Sequence, residues 1–157
     1  MEHKYIIQLL RQEEAIEIAD EWKYSSFYSF YDMSADPEDY EEIVTPELRK
    51  NNYFGVHKNG DLIGFYTVEK SGATAEIGFG MRPDLTGKGN GTGFVQAIIE
   101  DVIDHNPDLV NLKLEVACFN KRAIHLYEKL GFKKINQHLQ VTNGSKYDFW
   151  LMEKILK

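Results

Sequence analysis

The stretch Arg82-Pro-Asp-Leu-Thr-Gly-Lys-Gly-Asn-Gly-Thr-Gly93 joins an alternating apolar segment to a helical one. Gly87, Gly89, Gly91 and Gly93 stand at every second position in it. Glycine permits positive φ angles and lets a ligand approach main-chain N–H groups, and the start of a helix presents unpaired N–H groups and a positive dipole end. The stretch therefore predicts a loop that can bind an oxyanion such as phosphate.

The residues on both sides of this stretch, which we call the glycine loop, predict a strand before it and a helix after it. Between Ala75 and Met81, apolar residues alternate with Glu76 and glycines, as in a strand with two unlike faces. From Thr92, apolar residues recur at spacings of three and four until the helix breaker Pro107. They are Phe94, Val95, Ile98, Ile99, Val102 and Ile103. The glycine loop is therefore predicted to be a strand-to-helix turn.

Two familiar nucleotide signatures do not fit the glycine loop. A dinucleotide fingerprint requires glycine or alanine where Phe94 follows Gly89 and Gly91. A mononucleotide P-loop requires glycine five residues before Gly87, where this chain has Arg82. A Rossmann site and a P-loop are therefore disfavoured, whereas an ordinary surface loop, whose glycines serve turn geometry alone, remains open.

A second block of sequence, from Leu112 to Phe132, decides between these interpretations. Together with the glycine loop, it resembles the GNAT superfamily of acetyl-CoA-dependent N-acetyltransferases. The later motif of that family reads Asn-x-x-Ala-x-x-x-Tyr-x-x-x-Gly-Phe. The residues that match it are Asn120, Ala123, Tyr127, Gly131 and Phe132. The pyrophosphate-binding motif, Gln/Arg-x-x-Gly-x-Gly/Ala, falls on residues 86–91, with Thr86 in place of Gln or Arg.

The resemblance implies a mixed α/β GNAT fold, with a central, mostly antiparallel sheet of six to seven strands flanked by about four helices. Further elements read from the sequence agree with it. They are a strand over residues 5–10, a hairpin over 52–58 and 62–69, a strand over 112–116, a helix from Asn120, and a final hairpin over 132–141 and 147–156. We expect a single domain over residues 1–157, since this length suits one hydrophobic core.

The resemblance also implies that acetyl-CoA is the donor substrate. Backbone groups of Phe79 and Met81 would hold the thioester carbonyl, and Asn120 would contact the cofactor. The residues implied at the pyrophosphate are Thr86, Gly87, Lys88, Gly89, Asn90, Gly91 and Thr92.

Small and charged residues beside the glycine loop extend this expectation. Gly78 and Gly80 are expected to keep one face of the preceding strand low, so that the pantetheine arm can run along it. Lys88 and Arg82 could assist the phosphates, but a solvated surface position explains them equally well.

Acetyl transfer to an amine requires a base, because a lysine-like ammonium with a pKa of about 10.4 loses its proton at a cost of about 4 kcal/mol near neutral pH. Glu76 is the leading candidate, since it shares the glycine face of the strand before the loop. Glu115 on the next strand and a water relay remain alternatives. The resemblance assigns Tyr127 to protonation of the departing thiolate, although its place on an apolar helix face also fits core packing.

An aromatic block is the candidate for acceptor binding. Tyr24, Phe27 and Tyr28 fall with Tyr31 on one face of a predicted helix, which fits either a hydrophobic core or one side of a binding pocket. The segment from Asp32 to Glu47 then carries carboxylates and no Lys or Arg. These acids fit either the first turn of a solvated helix or a surface that attracts a cationic acceptor.

Composition narrows the function classes further. The chain has 157 residues, 43% of them hydrophobic, and a formal net charge of −7, which disfavours nucleic acid and anionic membranes as partners. The lone Cys118 excludes an internal disulfide, and no His/Cys cluster has zinc-ligand spacing, so no metal is expected. We expect a cytoplasmic protein in which Cys118 is buried and the five histidines are scattered surface rings without a role.

These observations predict an enzyme that moves an acetyl group directly from acetyl-CoA to a primary amine within a ternary complex. The acceptor is either a small cationic amine or a peptide or protein amine. Two alternatives remain: a catalytically inactive CoA-binding regulatory or interaction domain, and a phosphate binder that does not use CoA. GNAT proteins are often dimers, so the resemblance leaves a homodimer open.

Overall fold

The structure is a computed structural model that describes residues 5–24, 37–86, 88–142 and 145–157. Its strands are β1 (Tyr5–Leu9), β2 (Tyr53–Lys58), β3 (Asp61–Ser71), β4 (Thr74–Met81), β5 (Asn111–Ala117), β6 (Lys133–Thr142) and β7 (Ser145–Ile155). Its α-helices are α1 (Gln12–Glu21), α2 (Pro37–Val44), α3 (Pro46–Arg49), α4 (Gly91–His105) and α5 (Lys121–Lys129). The seven strands form one sheet in the order β1-β2-β3-β4-β5-β7-β6, which confirms the predicted mixed α/β fold. The described residues thus contain five α-helices, where about four were expected, and the short α3 is among those that the sequence did not predict.

The pairing of β4 with β5 is parallel, whereas β1 with β2, β2 with β3, β5 with β7 and β6 with β7 are antiparallel. In the parallel pair, Thr74 lies opposite Asn111 and Glu76 opposite Lys113. Parallel neighbours need a long crossover connection, which here contains the glycine loop and α4. The loop therefore follows the carboxyl end of β4, as predicted.

Several predicted element boundaries agree with the structure. α4 ends at His105, as the breaker cluster indicated. Between β2 and β3, Asn59 and Gly60 have φ angles of 54° and 84°, the positive pair that a tight hairpin turn requires. α2 begins at Pro37 with Glu38 in its first turn. The turn at residues 143–144 lies outside the described residues.

The chain divides into two compact units, one made of residues 1–67 and 79–88 and the other of residues 68–78 and 89–157. In the first unit, α1 supplies the centre of the core. The buried apolar residues of α1 and the residue after it repeat at helical spacing; they are Ala15, Ile18, Ala19 and Trp22. They share a cluster with Ile43, Tyr53 and Phe65. No pattern in the sequence had predicted α1.

The core of the second unit is formed by α4 and the strands beneath it. Its buried side chains include Phe94, Val95, Ile98, Ile99 and Val102 of α4, Leu112, Leu114 and Val116 of β5, and Met152 of β7. The prediction that Tyr127 lies on an apolar, core-facing side of its helix is wrong in part. Ile124 is the buried residue of α5, whereas Tyr127 and Leu126 are only half-buried, because the helix turns its Ile124 side inward.

His57 departs from the prediction that the histidines are surface rings. The His57 side chain is only 12% exposed, and its Nε2 lies 2.5 Å from Oε2 of Glu14, whose side chain is 5% exposed. The Arg11 main-chain N–H donates to the other oxygen of Glu14 at 3.0 Å. A buried carboxylate is tolerated only when it has such partners. His57 therefore serves as a partner of the buried Glu14 carboxylate rather than as a surface ring. Cys118 is half-buried rather than buried.

Two findings bear on partners. Among the described residues, no helix is long and apolar enough to cross a membrane. Within the same residues, no group of three or more His, Cys, Asp or Glu side chains is arranged to hold a metal ion.

Gly131 after α5 provides a test of this fold. Its φ is +99°, and a Cβ built on it would lie 2.7 Å from Nζ of Lys154, which donates to the Leu130 carbonyl at 2.7 Å. We expect Gly131→Ala to lower the free energy of unfolding by about 2 kcal/mol or more, from backbone strain and loss of that charged hydrogen bond. Chemical denaturation measures this change.

Gly72→Ala is the matched control. Gly72 also has a positive φ, +62°, but nothing lies within 4 Å of the position that its Cβ would occupy. Gly72→Ala should therefore lower the free energy of unfolding by backbone strain alone, about 1 kcal/mol. Equal losses in the two variants would contradict the role assigned to Lys154.

Candidate active site

The glycine loop combines an open bend with a close helix contact. Gly89 has a φ of +78°, which other residues rarely adopt, and nothing lies within 4 Å of the position that a Cβ there would take. At Gly91, a Cβ would lie 2.5 Å from Cδ1 of Leu126, so glycine there lets α5 pack against the start of α4. Gly87 lies outside the described residues. Gly89 and Gly91 thus have different physical reasons to be glycine.

The N-terminus of α4 has the character of an anion site. Asn90 is the residue before the helix, and Gly91, Thr92 and Gly93 form its first turn, which contains no acidic residue. The first N–H groups of a helix have no partner within it, and the helix dipole is positive at this end. Since these residues are half-buried or exposed, the donor groups fit an anion such as a pyrophosphate.

Two side chains of the loop have partners within the chain. The Thr86 hydroxyl and main-chain N–H both donate to the Pro83 carbonyl, at 2.8 and 3.3 Å, and so close the turn after β4. The Arg82 guanidinium donates to Asp84 at 2.7 Å and to the Leu62 carbonyl at 3.2 Å. The hydrogen bond from Arg82 lowers the pKa of Asp84. Lys88 is exposed.

At the carboxyl end of β4, the structure brings together two of the predicted site residues. The Tyr24 hydroxyl donates to the Met81 carbonyl at 2.7 Å. Phe27 and Tyr28, predicted beside Tyr24, lie outside the described residues. A residue from the aromatic block is therefore anchored to the strand end that the resemblance assigns to the thioester.

The predicted open track along β4 is wrong at Gly80. A Cβ at Gly80 would lie 2.7 Å from Cε1 of Phe65, whose side chain belongs to the buried core of the first unit. Glycine is needed there because an aromatic ring already fills the space. A pantetheine arm cannot use that space unless Phe65 moves.

Glu76 lies among charged groups on the exposed side of β4. Burial is the largest cause that raises its pKa, and the carboxylates of Glu115 and Glu69 raise it further. Lys113, opposite Glu76 in the parallel pair, and His138 act in the other direction. Such a carboxylate holds a proton more readily than an ordinary one, which is a property of bases in active sites.

His138 was not among the site residues predicted from the sequence. Its Nε2 lies 3.1 Å from Oε2 of Glu115, although β7 separates their strands in the sheet. No local pattern could have placed the two together, because only the order β5-β7-β6 brings β6 near β5.

Asn120 and Tyr127 lie at the two ends of α5. The Asn120 side-chain oxygen accepts the Ala123 N–H at 3.3 Å and so caps the helix. Tyr127 is half-buried, and its ring meets Phe132 edge-on at 6.3 Å between centroids. Phe132 is buried, and its N–H donates to the Tyr127 carbonyl at 3.0 Å. The motif residue Phe132, which follows α5, therefore contacts the Tyr127 ring and fixes its position.

Solved structures with this fold include several acetyltransferases. A chimera of the spermidine N-acetyltransferase SpeG from Vibrio cholerae and hSSAT matches with a TM-score of 0.77 and 21% identity, over 96% of this chain and 95% of that one. The aminoglycoside acetyltransferase AAC(6')-Ib in complex with coenzyme A gives 0.72 and 18%, over 97% and 95%. A putative phosphinothricin N-acetyltransferase gives 0.70 and 19%, over 98% and 99%. At these identities the likeness shows the fold.

Sequence comparison adds a curated relative and a family. UPF0157 protein YqkA of Bacillus subtilis (strain 168) is 33% identical over 95 residues, which are 60% of this chain and 26% of the relative. The chain thus spans about a quarter of the length of that relative. The model of the acetyltransferase (GNAT) family matches residues 14–132. This range includes β4, the glycine loop that follows it, α4 and α5. The chain therefore belongs to the acetyltransferase (GNAT) family.

Proposed function

We propose that this chain moves an acetyl group directly from acetyl-CoA to a primary amine within a ternary complex. The observation that carries the proposal is the start of α4. It has a first turn without acids, behind a loop whose Gly89 has a φ of +78° and open space around it. In a chain of this family, such a helix start fits the pyrophosphate of coenzyme A.

Donor binding is assigned to backbone groups more than to side chains. Acetyl-CoA would supply an acetyl group activated as a thioester. Backbone groups of Phe79 and Met81 are proposed to hold the thioester carbonyl, and Asn120 to contact the cofactor. The residues proposed at the pyrophosphate are Thr86, Gly87, Lys88, Gly89, Asn90, Gly91 and Thr92. Because the donors of Thr86 already close a turn, its part is to shape the loop.

We assign the base to Glu76 rather than to Glu115. The pKa of Glu76 is raised, chiefly by burial, so its carboxylate accepts a proton from an ammonium more readily than an ordinary carboxylate does. The Glu115 carboxylate is already paired with His138. A water molecule between the amine and Glu76 would fit the same assignment.

Tyr127 is proposed to protonate the departing thiolate. A phenol with a pKa of about 10 transfers a proton to a thiolate of about 8.5 uphill by about 2 kcal/mol, so its contribution is a hydrogen bond in a fixed direction. The edge contact with buried Phe132 supplies that direction.

The acceptor is proposed to be a small cationic amine. The net charge of −7 favours a cation, and Tyr24, Phe27 and Tyr28 are proposed to contact it. Three structural neighbours are named for spermidine, aminoglycoside and phosphinothricin acetylation, all small molecules. A peptide or protein amine is the alternative acceptor. A location in the cytoplasm belongs to the same proposal.

The proposal is tested by measuring the release of free CoA thiol from acetyl-CoA in the presence of each of several amines. The panel contains spermidine, an aminoglycoside, phosphinothricin and a peptide with a free N-terminus. We expect thiol release with at least one small amine. Thermal stabilisation by CoA without release across the panel would contradict the proposal and indicate a CoA-binding domain. Equal stabilisation by ADP and CoA would indicate a phosphate binder.

Tyr127→Phe tests the proton donor. The variant keeps the ring contact with Phe132 and removes only the hydroxyl. We expect kcat to fall by about a hundredfold, with KM for acetyl-CoA little changed. Tyr5→Phe, on β1, is the control and should turn over as the unaltered protein does. Undiminished turnover of Tyr127→Phe would remove Tyr127 from the mechanism.

Glu76→Gln tests the base and predicts a pH dependence. Since the pKa of Glu76 is raised, kcat/KM of the unaltered protein should fall with decreasing pH at values above the ordinary carboxylate pKa of about 4.3. The variant should lose this acidic limb and about a hundredfold or more in rate. Glu100→Gln, which removes an exposed carboxylate of α4, should change neither.

Stability separates the loss of a base from the loss of the fold. A carboxyl whose folded pKa is raised destabilises the folded state as pH rises from its unfolded pKa through its folded pKa. The destabilisation is therefore complete at neutral pH and absent in acid. Glu76→Gln should be at least as stable as the unaltered protein at neutral pH in chemical denaturation. A destabilised variant would contradict the electrostatic account of Glu76.

A further inference from the structure

His138 reaches across a strand to a carboxylate beside the proposed base. It lies on β6, an edge strand of the sheet, directly opposite Phe149 of β7. The two rings are nearly parallel, at 20°, with centroids 6.2 Å apart. From this position, Nε2 of His138 lies 3.1 Å from Oε2 of Glu115 on β5. The Phe149 ring thus lies alongside the imidazole where the His138 side chain crosses β7.

Strand register places Glu115 on the same sheet face as Glu76. Glu76 lies opposite Lys113 in the parallel pair of β4 and β5, and residues in register share a face. Glu115 follows Lys113 by two residues, so it lies on that face as well. Ala117, two residues further along β5, lies opposite Phe149 and has only a small side chain. Glu76, Glu115 and the His138 imidazole are therefore neighbours on one face.

The charged groups around Glu76 come from three other strands of the sheet. Glu76 itself is on β4; Glu69 on β3 and Glu115 on β5 oppose its negative charge, whereas Lys113 on β5 and His138 on β6 favour it. Two carboxylates therefore act against the charged form of the proposed base. The His138 imidazole lies 3.1 Å from the Glu115 carboxylate, and at that distance an imidazolium offsets much of a carboxylate's negative charge.

We propose that His138 is a positioning residue for acetyl transfer, which holds and neutralises the Glu115 carboxylate so that Glu76 stays ionised and able to accept the proton of the amine. This inference rests on the proposed function, in which Glu76 is the base. His138 touches neither substrate nor cofactor in this account; it acts mainly through Glu115, with a smaller direct effect of its own charge on Glu76. The same contact explains why Glu115 serves poorly as a base, since its oxygen already has a partner.

The test follows the ionisation of Glu76 and the rate separately. Carbon-13 NMR of the Glu76 side-chain carboxyl gives its titration midpoint without substrate, and kcat/KM gives the acidic limb of the pH profile. Loss of the ring in His138→Ala should move both midpoints up by roughly 0.5 to 1 on the pH scale, because Glu115 loses its compensating charge. The rate at pH values well above the midpoint and KM for acetyl-CoA should stay as they are.

Further variants distinguish charge from shape. His138→Gln keeps a hydrogen-bond donor without charge and should behave as His138→Ala, whereas His138→Lys restores a cation and should return the midpoints. Glu115→Gln should move both midpoints down. Adding His138→Ala to Glu115→Gln should then change them by less than half as much as His138→Ala alone. His125→Ala, which removes an exposed ring of α5, is the control and should move neither midpoint.

The two readouts separate the inference from the proposed function. Midpoints that move together in NMR and in rate support both. If the NMR midpoint moves while the acidic limb of the rate does not, Glu76 is not the base and the role of His138 in catalysis is overturned with it. If the NMR midpoint is the same in His138→Ala, His138→Gln and the unaltered protein, the coupling through Glu115 is overturned, whatever Glu76→Gln does to the rate.

Discussion

The parallel pairing of β4 with β5 is the constraint on which the rest of the site depends. A parallel neighbour obliges the chain to leave the carboxyl end of β4 and return by a crossover, which supplies the glycine loop and the N-terminus of α4. The same pairing sets Glu76 on the face that carries Glu115. The proposed donor site and the proposed base are thus two consequences of one strand pairing.

The electrostatics of this face oppose stability and suit the proposed chemistry. Desolvation and two neighbouring carboxylates make the charged form of Glu76 costly, and Lys113 and His138 only partly offset that cost. A surface selected for stability alone would avoid such an arrangement, whereas a base that must take a proton from an ammonium benefits from it. Buried Glu14, in contrast, is held by Arg11 and His57 and raises no such conflict.

Local sequence predicted much of the fold because periodicity and turn chemistry are local. The strand before the glycine loop, α4 and the Asn59-Gly60 hairpin follow from alternation, helical spacing and positive φ. What local sequence could not predict depends on neighbours distant in sequence. Phe65 fills the space at Gly80, α5 turns Ile124 inward, and His138 reaches Glu115 across β7. Each needs strand order or packing, which no window of sequence contains.

The central claim is direct transfer, with acetyl-CoA and the amine bound together and no acetyl group carried by the protein. The most direct test is intact-mass analysis during a single turnover with acetyl-CoA whose acetyl group is isotope-labelled. The account predicts an unlabelled protein throughout and the label on the amine as free CoA is released. Labelled protein that disappears when amine is added would contradict direct transfer, and label that stays on CoA with every amine would contradict acetyl transfer itself.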